Sequence, residues 1–108
     1  MPVARGHLAE PSVIAAEELQ TELERQGIAA DVHDGYGLAL VSVWVDLVVW
    51  SDGECYWWRT GWNTERRRTI YAWHPATDPV RAARRVARRY EDLRGTQPLP
   101  EWLAGRAS

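Results

Sequence analysis

IAADVHDGYGLALVSVWVDLVVWSDGECYWWRTGW, from Ile28 to Trp62, alternates apolar and polar residues with a period of two over most of its length. That period belongs to half-buried strands. DGYG at 34–37 is a turn signal, and Asp52-Gly53 is a strong two-residue hairpin signal between Ser51 and Glu54. Leu38 to Trp50 therefore reads as one long strand and CYWWRTGW at 55–62 as its return. Loop length sets the register of a hairpin, and the register sets which side chains share a face. A two-residue loop at 52–53 places Val49 opposite Tyr56, Leu47 opposite Trp58, Val45 opposite Thr60 and Val43 opposite Trp62. The other side then pairs Trp50 with Cys55, Val48 with Trp57, Asp46 with Arg59 and Trp44 with Gly61. A four-residue loop at 34–37 adds Ile28, Ala30 and Val32 to the first side, beside Val43, Val41 and Ala39. Both turns agree on one apolar face: Ile28, Ala30, Val32, Val41, Val43, Val45, Leu47, Val49, Tyr56, Trp58 and Trp62. This face is expected to be the core.

Outward from this block, NTERR at 63–67 is turn-like, and RTIYAWH at 68–74 reads as a fourth strand stopped by Pro75. Either Tyr71 and Trp73 or Ile70 and Ala72 join its outer side. Upstream, Pro11 and Ser12 open a helix with Ser12 as N-cap and Gly27 as the residue past its end. Ala16, Leu19, Leu23 and Gln26 lie on one face of it, with Glu17, Glu18, Glu22 and Glu24 off that face. Downstream, Asp78 is an N-cap with Pro79 in the first helical position, and Val80, Ala83, Val86, Ala87, Tyr90 and Leu93 form an apolar stripe that Gly95 ends. The expected fold is α+β, a two-layer α-β-β-β-β-α domain with an antiparallel meander sheet and both helices on one face. Residues 1–10 read as a flexible N-terminus, 11–95 as a single domain, and 96–108, with Pro98, Pro100 and Trp102, as an extended tail.

A chain of 108 residues has room for one core. Hydrophobic residues at 45% and charged residues at 26% exclude a wholly disordered chain. One cysteine allows no intrachain disulfide and no cysteine metal cluster. No apolar run approaches the roughly 20 residues of a membrane span, and the N-terminus has no apolar signal region, so a cytoplasmic protein is expected. All 13 basic residues are arginine, and phenylalanine is absent. The G/C-rich codons of Arg, Ala, Gly, Val and Trp explain that pattern, which points to a high-GC bacterial source. Seven tryptophans exceed the bias, and six of them lie between positions 44 and 73.

Those tryptophans frame the first candidate site. The outer sheet face carries Trp44, Trp50 and Trp57 with Leu40 and Val48, around an opposed Asp46 and Arg59 pair worth ~0.2–1 kcal/mol. An apolar face uncovered by its own helices asks for a partner. Trp44, Asp46, Trp50, Trp57 and Arg59 are the candidate partner-binding residues, for a second copy of the chain or another protein. The second candidate is the basic helix, where Arg81, Arg84, Arg85 and Arg88 could bind nucleic acid. Residues 1–54 hold ten acids and two arginines, and residues 55–108 five acids and eleven arginines. The net charge of −2 argues against a dedicated DNA binder. Catalysis has little support: His33 with Asp31 is too small a set for a metal, Cys55 lies beside Trp50 as a half-buried thiol, and His74 sits at a strand end. No phosphate loop, GxSxG or HExxH is present, so no catalytic residue, metal or cofactor is expected. The chain reads as a non-enzymatic, regulatory or accessory protein-binding module.

A helix, strands, and a last helix with early basic residues resemble the double-stranded RNA-binding domain. DPVRAARR at 78–85 lacks that family's lysine-rich motif, and the fourth strand is foreign to it, which puts RNA binding in doubt. The same order resembles small chaperone-like and immunity-type proteins that dimerise or clamp a partner. YWWRTG at 56–61 and HPATDPVRAARRVARRYEDLR at 74–94 resemble a group of short uncharacterised proteins of high-GC bacteria, over about half the chain, which implies no particular activity.

Overall fold

The computed structural model describes residues 10–35 and 37–96. The expected N-terminal segment up to residue 9, Tyr36 of the first turn, and the tail with Trp102 lie outside the described residues. Helix α1 (Pro11–Arg25) leads into strands β1 (Asp31–Gly35), β2 (Leu38–Trp44), β3 (Leu47–Ser51), β4 (Cys55–Asn63) and β5 (Arg68–Pro75), and helix α2 (Pro79–Thr96) closes the domain. The strands form one antiparallel meander in the order β1-β2-β3-β4-β5. The class is the expected α+β, with five strands instead of four. The long strand from Leu38 to Trp50 breaks at Val45-Asp46, where Asp46 takes a φ of 63°. Aspartate tolerates this left-handed conformation better than most side chains, and the turn needs it.

Both helices cover one face. Tyr56 donates from its buried hydroxyl to the Ala15 carbonyl oxygen at 2.7 Å, and Ser51 donates from Oγ to the Ser12 carbonyl oxygen at 3.0 Å. On α2, Tyr90 meets Trp44 edge-to-face at 5.6 Å. The core is Leu19, Leu23 and Ala16 of α1, Ala82, Ala83, Val86 and Leu93 of α2, and Ile28, Ala30, Val41, Val43, Leu47, Val49, Tyr56 and Trp58 of the sheet and its lead-in. Val45 and Trp62, expected in this core, stand exposed, as does Gln26 just past the end of α1, while Val80 at the start of α2 is exposed too.

The observed registers differ from the expected ones by two residues in each hairpin. Val41 pairs with Val32 instead of Ala30, and Val49 with Trp58 instead of Tyr56. A shift of two leaves every side chain on its face, which is why the core survives it.

The helix ends are set by local chemistry. Helix α1 starts two residues earlier than a Ser12 N-cap predicts. Glu10 is the N-cap, and Pro11 fills the first position, where its missing N–H costs nothing. Ser12 is therefore inside the helix and buried, and its Oγ has no hydrogen-bond partner among the described residues. At the other end Ile28 N–H donates to the Leu23 carbonyl at 3.0 Å and Gly27 N–H to the Glu24 carbonyl at 2.9 Å, with Gly27 at φ 82°. These are the two bonds of a Schellman cap. Gly27→Ala is expected to cost about 1 kcal/mol in urea denaturation, because nothing lies within 4 Å of the added Cβ and only the backbone strain remains. For α2, Asp78 caps as expected, its Oδ1 accepting from Arg81 N–H at 3.2 Å.

Asp52 holds the β3–β4 turn. One carboxylate oxygen accepts from the N–H groups of Glu54 and Cys55, both at 2.8 Å. These bonds, that from Cys55 foremost, hold the carboxyl below its ordinary range. A depressed folded pKa gives stability that is complete above the unfolded value near 4 and is lost as pH falls through the folded value. Asp52→Asn is thus expected to be less stable than the parent at pH 6, with the gap narrowing on acidification below about pH 4. Denaturant midpoints at the two pH values measure the gap. A gap independent of pH contradicts the turn geometry.

Candidate functional site

The sheet face opposite the helices is built by strand alternation. One row crosses all five strands: His33 pairs with Leu40, Leu40 with Trp50, Trp50 with Trp57 and Trp57 with Trp73. Directly opposed residues on neighbouring strands have Cβ atoms about 5 Å apart, so the three indoles sit side by side. The next position on β4 and β5 pairs Arg59 with Tyr71. Of the two choices for β5, Tyr71 and Trp73 take the outer face, while Ala72 lies opposite core Trp58.

Two β-bulges decide the remaining tryptophans. Between Ser42 and Trp44 the β2–β3 pairing slips by one, so Trp44 lies opposite core Leu47. One extra residue flips the alternation. Trp44, expected on the outer face, therefore packs against the core and Tyr90, with the Arg94 guanidinium 5.3 Å from its ring centre. Between Arg59 and Gly61 the β4–β5 pairing slips in the same way, which puts Trp62 opposite Thr69 and on the outer face with Tyr71. Trp62, expected in the core, is 55% exposed there.

Of the candidate partner-binding residues, Trp50, Trp57 and Arg59 share this face. Asp46 sits in the β2–β3 turn, and Arg59 faces Tyr71, so the expected Asp46–Arg59 pair does not form. Trp62, Tyr71 and Trp73 complete the aromatic set. The parity of β5 was the missing signal for the last two, and for the bulge that turns Trp62 outward the one sequence signal is Gly61. Trp50, Trp62, Tyr71 and Trp73 are 37%, 55%, 57% and 61% exposed, and Trp57 is half-buried between its neighbours.

On the helix side, α2 leaves part of the sheet uncovered. Trp58, Thr60 and Ala72 floor a cleft of about 460 Å³, and Arg81, Arg84, Arg85, Arg88, Arg89 and Asp92 complete its lining. All four arginines singled out for nucleic acid thus come together, with Arg89 added. Arg85 is fixed. Its Nη1 donates to the Trp73 carbonyl at 2.7 Å and contacts His74 Nδ1 at 3.2 Å, and its guanidinium lies 5.1 Å from the Trp58 ring centre. His74 Nε2 is 3.7 Å from Asp78 Oδ2.

The catalytic alternatives are spread over three strands, His33 and Asp31 on β1, Cys55 on β4 and His74 on β5. His33 and Asp31 are exposed on edge strand β1, opposite Leu40 and Ser42. Cys55 pairs with Pro75, away from both. Among the described residues no group of His, Cys, Asp and Glu could hold a metal ion, and no helix is long and apolar enough to cross a membrane. The chain matches no protein-family model, no curated protein and no solved structure.

Proposed function

We propose that the protein is a non-enzymatic, cytoplasmic interaction module with an accessory or regulatory role, and that it works as a homodimer packed through the outer sheet face. The aromatic row Trp50-Trp57-Trp73, flanked by Tyr71 and Trp62, carries this reading. Interface cores are enriched in aromatic residues, and Trp50, Trp57 and Trp73 form a continuous row on this face. It also suits a second copy. With a two-fold axis along the strands, β1 of one protomer lies over β5 of the other, and β3 over β3. Trp50 then meets its own copy, Trp57 meets Leu40 and Trp73 meets His33. An aligned sheet-on-sheet packing of this kind closes as a dimer.

Sedimentation velocity over a concentration series tests it. A dimer at micromolar concentration is expected, dissociating on dilution. A monomer throughout the series overturns the homodimer, and a monomer that also captures no protein partner through this face overturns the interaction module.

A further inference from the structure

We propose that the cleft between α2 and the β4–β5 end of the sheet binds a compact ligand carrying two or more phosphate groups, independently of the dimer face on the other side of the sheet. Five arginines and one aspartate line a single concavity. Codon bias accounts for arginine in place of lysine, but not for five guanidinium groups around one cavity. Like charges so gathered repel one another, and a polyanion relieves that repulsion.

The lining is partly organised in advance. The two hydrogen bonds and the Trp58 stacking hold Arg85 at the edge of the floor. The Nε of Arg89 is buried and has no hydrogen-bond partner among the described residues. Such a donor is costly unless its charge is met. Arg84 and Arg88 are exposed, and the Arg81 Nε lies 3.7 Å from Asp78 Oδ2. Several guanidinium forks converging on one volume suit the tetrahedral oxygens of phosphate, which they bind bidentately. The apolar floor strengthens these contacts by keeping water away from one side.

Two observations favour a compact ligand over a nucleic-acid strand. The volume falls in the range of small-molecule pockets. Among the described residues Trp58 is the aromatic residue of the lining, and it is 2% exposed and already covered by Arg85, so no described ring is open for a base to stack on. Recognition rests on the phosphates.

Isothermal titration of the full chain with sodium tripolyphosphate, and separately with a short single-stranded oligothymidylate, at low and high salt, tests the site. Saturable tripolyphosphate binding is expected. It should weaken at least about tenfold in the Arg84→Ala/Arg88→Ala variant and stay unchanged in Arg66→Ala/Arg67→Ala, which removes the same charge from the β4–β5 loop. All four side chains are exposed, so thermal melts of both variants should match the parent. Absence of tripolyphosphate binding, or equal loss in both variants, overturns the proposal. Binding of the oligonucleotide alone also overturns it and assigns the cleft to a nucleic-acid backbone.

Discussion

Replacing Trp50 and Trp73 together by alanine is expected to abolish dimerisation and leave the fold intact. Each side chain is exposed on the single chain, 37% and 61%, so its removal opens no cavity in the core. In the proposed dimer both become buried, Trp50 at the two-fold axis. Buried interface tryptophans cost about 2 kcal/mol or more each on truncation, and a two-fold axis counts every substitution twice. The dissociation constant should therefore rise by more than a hundredfold, which sedimentation reads as a monomer over the range where the parent is a dimer. The contrasting substitution is Trp44→Ala. Trp44 lies against the core, Tyr90 and Arg94, so its loss should lower the melting temperature and leave the dissociation constant unchanged. If the Trp50/Trp73 variant unfolds, or if Trp44→Ala changes the association and Trp50/Trp73 does not, the outer face is not the interface.

This division of the tryptophans shows what was legible in the residues. The core face could be read because its signal is a parity, and errors of two residues in both hairpins preserve parity. Val41, Val43, Leu47, Val49, Tyr56 and Trp58 are all buried, as the alternation requires. Trp44 and Trp62 exchanged places because each follows a bulge, and one extra residue inverts the parity beyond it. The two bulges are unequally marked in the sequence. Arg59-Thr60-Gly61 contains a glycine, a common companion of bulges, but Ser42-Val43-Trp44 contains none. The strand break at Val45-Asp46 was hidden for a related reason. Asp46 is a turn residue by type, but a single one inside an apolar run, with no Gly, Pro or second polar residue beside it, does not stand out from the strand alternation. The arginine cleft was legible only as a charged stripe on a helix. Its concavity depends on how far α2 stands from β5, a tertiary distance that no periodicity encodes.

The same limit applies to the β3–β4 turn, and Gly53→Ala is expected to be the most destabilising alanine substitution among the described glycines. Asp52-Gly53 marks a hairpin by its residues alone, and glycine there is explained locally by a φ of 95°. A second reason appears only in the folded chain. A Cβ on Gly53 would stand 2.7 Å from Cβ of Pro11, 3.0 Å from its carbonyl carbon and 3.1 Å from the Ser12 nitrogen. Pro11 has little freedom to retreat. The next residue, Ser12, is buried and tied through its carbonyl to Ser51 Oγ, and Ala15 is tied to Tyr56. Backbone strain of about 1 kcal/mol and overpacking of about 2 kcal/mol combine to about 3 kcal/mol, a fall in melting temperature of roughly 12–20 °C for a domain of this size. Gly27→Ala separates the two contributions, since it has similar strain and an open neighbourhood. Its cost subtracted from that of Gly53→Ala leaves the clash. A double-mutant cycle with Pro11→Gly then locates it. Removing the Pro11 ring should recover part of the Gly53→Ala loss, while the backbone atoms at 3.0 and 3.1 Å retain the rest. Equal costs for the two glycine substitutions would mean that the β3–β4 turn does not rest on the start of α1.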